Sequence, residues 1–293
     1  VTGLAASLPA PIARQTFLGA TAPWWALTAP AVVLMLAFYA YPLAQVLWIS
    51  VTEPAPGLGN YERLLTSEAV QRVWITTLRI CAITTSITLL AGYAVAYAIS
   101  QAGPRMQRWM FVCVLLPLWI SVLVRAFAWV TLLRSRGLVN ETLLGLGLID
   151  EPLRLIWNEF GIAIGMVHYM IPYAVLPLYA SMRDIDPRLV PAARGLGATR
   201  AEAFRKVFLP LTRPGIIAAT VLVFIFSLGF YVTPAILGGG RTLMVAEYIK
   251  LQILDLIRWG VGTMMASTLL LGIFLLLAVL SRAVDIRKVF GAG

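Results

Sequence analysis

Charge disappears from this chain in long, repeated intervals. Residues 27–50, 80–104, 160–182, 214–237 and 259–281 carry no Asp, Glu, Lys or Arg, and 109–133 carries Arg125 alone. Each interval is 23 to 25 residues long. About 20 predominantly apolar residues in a helix cross the hydrocarbon of a bilayer, whereas barrel strands are shorter and alternate. The pattern therefore predicts an all-α membrane protein with six transmembrane helices. Composition agrees: of 293 residues, 60% are hydrophobic and 12% charged, and mean hydropathy is +0.86. A soluble domain carries about a quarter charged residues.

The loops predict an orientation. With the N-terminus inside, the inner segments hold 13 Lys and Arg and the outer segments eight. The positive-inside rule counts those cations, so both termini are expected in the cytoplasm. Trp24 and Trp25 flank the inner end of the first interval and Trp48 its outer end, as indoles do at interfaces. The first interval is longer than a secretory h-region and lacks a small-residue cleavage pattern, so it reads as a span. Residues 1–23 then read as a cytoplasmic tail, 24–73 as the first span with its outer loop, and 282–293 as a second tail. The net charge of +10 belongs to residues beside spans, which argues for lipid and against nucleic acid. Cys81 and Cys113 both lie in apolar runs, with no metal-ligand or disulfide spacing.

Residues 183–213, on the predicted inner side, carry strong helix punctuation. Asp186-Pro187 reads as a cap and first helical residue. Thr199-Arg200-Ala201-Glu202 fits a capping box. Phe204, Val207, Phe208 and Leu211 fall on one helical face, and Gly195 and Gly197 separate the two helical pieces. The expectation is a helix-turn-helix beneath the membrane. It either rests on lipid headgroups or docks a cytoplasmic partner.

The same loop carries a resemblance. Pro191-Ala192-Ala193, then Gly197-Ala198, then nine residues from Gly197 to Val207, and Leu209-Pro210 resemble the EAA loop of membrane subunits of type I ABC importers. Pro191 stands where that signature has Glu. Leu123-Val124-Arg125-Ala126-Phe127-Ala128-Trp129 and Gly229-Phe230-Tyr231-Val232-Thr233-Pro234 are similar to spans of the spermidine/putrescine (polyamine) subfamily. The resemblance implies the ABC type-1 permease fold over 74–281, in a bacterial inner membrane. It implies a coupling helix among Pro191, Ala192, Ala193, Gly197, Ala198, Thr199, Glu202, Phe204, Val207, Leu209 and Pro210. It further implies a second permease subunit, two ATP-binding subunits and a periplasmic solute-binding protein. The substrate implied is a small organic solute, polyamine-like.

No nucleotide-binding motif is present: Gly238-Gly239-Gly240-Arg241 lacks the Lys and following helix start of a P-loop. ATP and Mg would therefore belong to partner subunits. No catalytic pair or metal set is visible. His168 is the single histidine and reads as a hydrogen-bonded packing residue. Arg125, placed roughly 12 Å below the outer end of a straight third span at about 1.5 Å per residue, either snorkels or lines the pathway. Arg79, nearer water, reads as snorkelling. The charge-free intervals contain no carboxylate, which counts against the alternative of a secondary transporter. A cationic solute would then lean on aromatic faces. Trp119, Trp129, Tyr169, Tyr173, Phe230 and Tyr231 are candidates beside Arg125, unless they simply pack between helices.

Overall fold

The computed structural model describes residues 21–283. The sequence-predicted tails therefore lie largely outside the described residues. The chain divides into two compact units, residues 1–48 and 49–293.

From the first unit, α1 (Thr21–Met35) runs through a π-helical turn, Leu36–Ala40, into α2 (Tyr41–Thr52), whose last residues belong to the second. Pro42 has no N–H to return to the helix. Immediately before it the ladder widens, with Tyr41 N–H bonded to the Leu36 carbonyl. Val32, Val33, Leu34, Met35 and Leu36 are all exposed. A helix apolar on every side suits lipid, where each backbone group must be satisfied within the helix itself.

The second unit continues with α3 (Gly59–Thr66), α4 (Glu68–Gln101), α5 (Pro104–Trp119), α6 (Val122–Leu133), α7 (Leu138–Gly145) and α8 (Glu159–Arg183). Short helices α9 (Leu189–Gly195), α10 (Arg200–Ala203) and α11 (Leu209–Leu211) lead to α12 (Arg213–Leu228), α13 (Val232–Gly238), α14 (Val245–Lys250) and α15 (Trp259–Ala283). No strand occurs among the described residues.

The central frame is α4, α8 and α12, each packed against the other two. Its core is Ala96, Ile99, Met170, Ala174, Val175, Leu178, Met182, Ala219 and Val223. Lipid tails are as apolar as Leu, so membrane helices gain by close approach over small residues. Gly92 of α4 permits this: a Cβ there would stand 2.9 Å from Ala174 Cβ of α8. A second cluster, with Val70, Val73, Val261, Met264 and Met265, joins α4 to α14 and α15. There Thr77 Oγ1 accepts the Val245 N–H at 2.9 Å.

Among the described residues, four helices are long and apolar enough to cross a membrane: Thr28–Thr52, Glu68–Gln101, Glu159–Arg183 and Trp259–Leu280. The number reaches six when each of two bent pairs counts as one span. The third predicted span is not straight. α5 and the stretch Val122–Gly145, which holds α6 and α7, meet at 97°, across Ile120 and Ser121 with ψ of 134° and 137°. A depth for Arg125 measured along a straight rod therefore does not apply. The fifth interval is also divided. α12, with 16 residues, is about 24 Å long, and α13 starts after a break at 229–231. Pro234 explains the restart. In a continuous helix its ring would crowd the Phe230 carbonyl, but in the first turn of α13 its missing N–H would have been unbonded anyway. Arg79 does not snorkel freely: its Nη2 lies 2.8 Å from Glu159 Oε1 at the start of α8.

Candidate functional site

Two places in the second unit collect the candidate residues. The first is the loop at 183–213. Asp186 Oδ1 accepts the Arg188 N–H at 2.9 Å, and α9 follows from Leu189, slightly later than the Pro187 start expected. Gly197 adopts φ +95°, where a Cβ is costly. Space beside its Cα is open. The capping box forms as the sequence predicts: Thr199 Oγ1 accepts the Glu202 N–H at 3.2 Å, and Glu202 Oε2 accepts the Thr199 N–H at 3.0 Å. The Thr199 amide and hydroxyl, then Lys206, hold the Glu202 carboxyl below its ordinary range.

The following helix is not regular. Phe204–Phe208 is π-helical, and Phe204 and Phe208 lie on its inward side together. Their rings stack at 5.7 Å and meet the Tyr97 ring edge-on at 5.5 and 5.3 Å. Tyr93 joins Phe204 at 6.3 Å. Thus Phe204 and Phe208 anchor the loop to α4, while Leu211, expected on the same face, is exposed. Val207, Leu209 and Pro210 are half-buried, whereas Pro191, Ala192, Gly197 and Thr199 are exposed, with Ala193, Ala198 and Glu202 half-exposed. Leu196, at the turn itself, is 91% exposed. Behind the loop lies a cavity of about 650 Å³ bordered by Gln107, Arg183, Asp186, Arg194 and Arg200. Tyr93 and Tyr97, absent from the sequence-derived candidates, are the receiving surface for the loop. Their i, i+4 spacing in α4 was the available signal.

The second place lies where α6, α8 and α13 converge. The Arg125 guanidinium carbon sits 4.4 Å from the Tyr169 ring centroid. Tyr169 also stacks on Tyr173 at 5.7 Å and meets Phe230 at 4.5 Å. Trp129 Nε1 donates to His168 Nδ1 at 3.2 Å, in keeping with a packing histidine. Arg125, Trp129, Tyr169, Tyr173 and Phe230 are therefore brought together. Trp119 is not: it ends α5 at 91% exposure, on the far side of the 120–121 break. Tyr231 is partly exposed, beside the α12–α13 break. Phe226, which meets Tyr173 edge-on at 5.1 Å, was missed. It stands four residues before Phe230, so both reach the same tyrosine pair. Among the described residues no cluster of His, Cys, Asp or Glu could hold a metal ion.

Residues 88–287 match the family described as binding-protein-dependent transport system inner membrane component. The chain belongs to that family. The permease is 33% identical over 246 residues to the spermidine/putrescine transport system permease protein PotB of Haemophilus influenzae, covering 84% of this chain and 81% of the relative. It is 33% identical to the Escherichia coli PotB over 75% of this chain and 80% of the relative. A solved bacterial alginate ABC transporter, in complex with its pentasaccharide-bound periplasmic protein, contains a chain that matches this permease with TM-score 0.72 at 19% identity. That match covers 91% of this chain and 94% of the other. The last likeness establishes the fold, a type-1 ABC permease. An inner-membrane permease accords with the apolar helices, and the resemblance read from the EAA-type loop holds at family level.

Proposed function

We propose that this chain is a translocation subunit of an ATP-driven importer, with the loop at 183–213 receiving motion from an ATP-binding subunit. The observation that supports the reading is the build of the loop. A rigid Gly197 turn and capping box present an unpartnered Leu196, and the helix behind them is fixed to α4 through Phe204 and Phe208. A surface displaced at Leu196 thus moves the central frame rather than bending the loop. The complex would comprise a second permease, two ATPase subunits carrying ATP and Mg, and a periplasmic binding protein. ATP binding would close the ATPases and open the permease pathway outward. The orientation that fits places both termini in the cytoplasm. The Arg125–Tyr169–Phe230 cluster would lie on the pathway, and the relatives' names make a small amine-bearing, polyamine-like solute the first class to assay.

Gly197→Asp tests the docking. Open space beside Gly197 means that its side chain projects outward, and φ +95° adds backbone strain. The permease pair should still insert and assemble, yet lose its ATPase subunits on purification and its uptake with them. Recovery of ATPases and uptake at wild-type levels would return the loop to the lipid-surface reading.

A further inference from the structure

The loop at 183–213 has two sides. Leu196 stands at its exposed tip, and behind it lies the cavity of about 650 Å³, within the range of about 300–1,000 Å³ found for ligand sites. Three of the residues around that cavity stand where apolar intervals end. Gln101 lies near the end of 80–104, Gln107 just before 109–133, and Arg183 just after 160–182. Gln107 Nε2 donates to the Tyr179 hydroxyl at 2.7 Å, tying α5 to α8 at this level. A hollow framed by the ends of spans lies in the headgroup region of a bilayer. Its lining is chemically divided. Tyr97, Phe204 and Phe208 supply an aromatic wall, while Arg183, Arg194 and Arg200 supply cations. The three arginines are exposed, and among the described residues none has an ion-pair partner. Asp186, the carboxylate in the lining, already accepts the Arg188 N–H at 2.9 Å. Three guanidinium charges against one carboxylate leave the lining with two positive charges in excess. Like charges around one hollow repel, and low-dielectric walls focus their field into it. An anion there relieves the repulsion, and guanidinium N–H donors suit phosphate oxygens.

We propose that this cavity binds the headgroup of an anionic phospholipid of the inner leaflet. The phosphodiester lies among Arg183, Arg194 and Arg200, and the glycerol and first methylenes run along Tyr97, Phe204 and Phe208. The inference rests on the importer reading above, which places this end of the spans in the cytoplasm. The cytoplasmic leaflet carries anionic lipid, and basic pockets between helix ends on that side suit such headgroups. A carboxylate of an ATPase subunit would match the charge but not the aromatic wall. Arg183 closes α8, Arg194 lies in α9 and Arg200 opens α10. One phosphate therefore joins the loop to the end of the α8 span, as Phe204 and Phe208 join it to α4.

The test uses the assembled permeases and ATPases in nanodiscs of phosphatidylcholine with a rising share of phosphatidylglycerol. Native mass spectrometry then counts the lipid that the complex retains. The expected result is saturable retention of phosphatidylglycerol over phosphatidylcholine. Arg183→Gln, Arg194→Gln and Arg200→Gln should each raise its half-saturation about fivefold. Arg188→Gln, in the same loop but outside the cavity, should leave it unchanged. Excess inorganic phosphate should not release the lipid, because it makes no use of the aromatic wall. Equal retention of the two lipids overturns the inference, and needs no variant to fold. A response to Arg188→Gln as large as to the other three overturns it as well, since the surface is then diffusely basic. Release by inorganic phosphate assigns the cavity to a free anion. Loss of the ATPase subunits from Arg183→Gln, with lipid retention intact, assigns it to a carboxylate of that partner. Either result overturns the inference. None of these outcomes touches the importer reading, which fails if the ATPases do not co-purify with the wild-type permeases.

Discussion

The Tyr93 hydroxyl lies 3.1 Å from Thr212 Oγ1, joining α4 to the point where α11 gives way to α12. The helix turns by 60° at that point, and Thr212 Oγ1 also donates to the Leu209 carbonyl at 2.8 Å. A hydroxyl pair thus holds the bend between the loop and the membrane helix. Tyr93→Phe should cost about 1 kcal/mol and loosen the bend without unfolding the frame. ATP hydrolysis should persist while solute moved per ATP falls. A Thr212→Val partner variant, in a double-mutant cycle on uptake, should show non-additive losses. Additive losses would mean that the hydroxyls act separately.

The capping box gives a second prediction. Thr199→Ala should cost about 0.5–2 kcal/mol of local helix stability, seen as faster amide exchange over residues 200–203. Arg200→Lys should change neither exchange nor ATPase recovery, since propensity and charge are kept. Glu202 adds a pH dependence. Its folded carboxyl titrates below its ordinary 4.5, so the cap is at full strength above 4.5 and weakens as acid protonates it. Exchange over the same amides, followed downward in pH, checks the sign.

Much of this was legible in the chain, and what escaped has identifiable physical causes. Thr199 and Glu202 were readable because a capping box is a local arrangement, complete within four residues. The bends at 120–121 and 229–231 were not read from composition, because an average over 25 residues is indifferent to where Pro117, Ser121 and Pro234 fall. The partnership of Arg125 with Tyr169 was beyond reach for another reason. The two are joined by the packing of α6 on α8, which no spacing within either segment encodes. Trp119 was chosen for its residue type, and it misses the cluster because the chain turns just after it.

Orientation is open to a labelling experiment. With Cys113 replaced, because it is exposed, Leu58→Cys and Leu148→Cys should react with a membrane-impermeant thiol reagent in intact cells. Leu196→Cys should react only after the membrane is opened. The wild-type side chains are 70%, 67% and 91% exposed, so access through the protein does not limit the reaction. The reverse pattern would invert the chain.

Glu247 makes the fourth prediction. It lies in α14, 9% exposed, with Oε2 unpartnered. Burial, opposed by Lys250, pushes its carboxyl from 4.5 up to about 7. The folded state therefore holds this proton where the unfolded chain has released it. Stability is highest below 4.5, falls as pH rises toward about 7, and then levels. Glu247→Gln should flatten that slope in thermal unfolding of the reconstituted complex and raise stability on the alkaline side. An unchanged slope would show that water reaches Glu247 in the reconstituted complex.

The contact of Gly92 with Ala174 has a consequence for how such a protein can move. Backbones that close leave no slack, so α4 and α8 translate together like a single beam. Movement is then confined to the joints at 120–121, 212 and 229–231. Each has a proline close by in sequence (Pro117, Pro214 and Pro234), which has no N–H to bond across the joint. The permease is in this sense pre-cut, and under the coupling proposed above a stroke delivered at Leu196 would meet its least resistance at the three cuts.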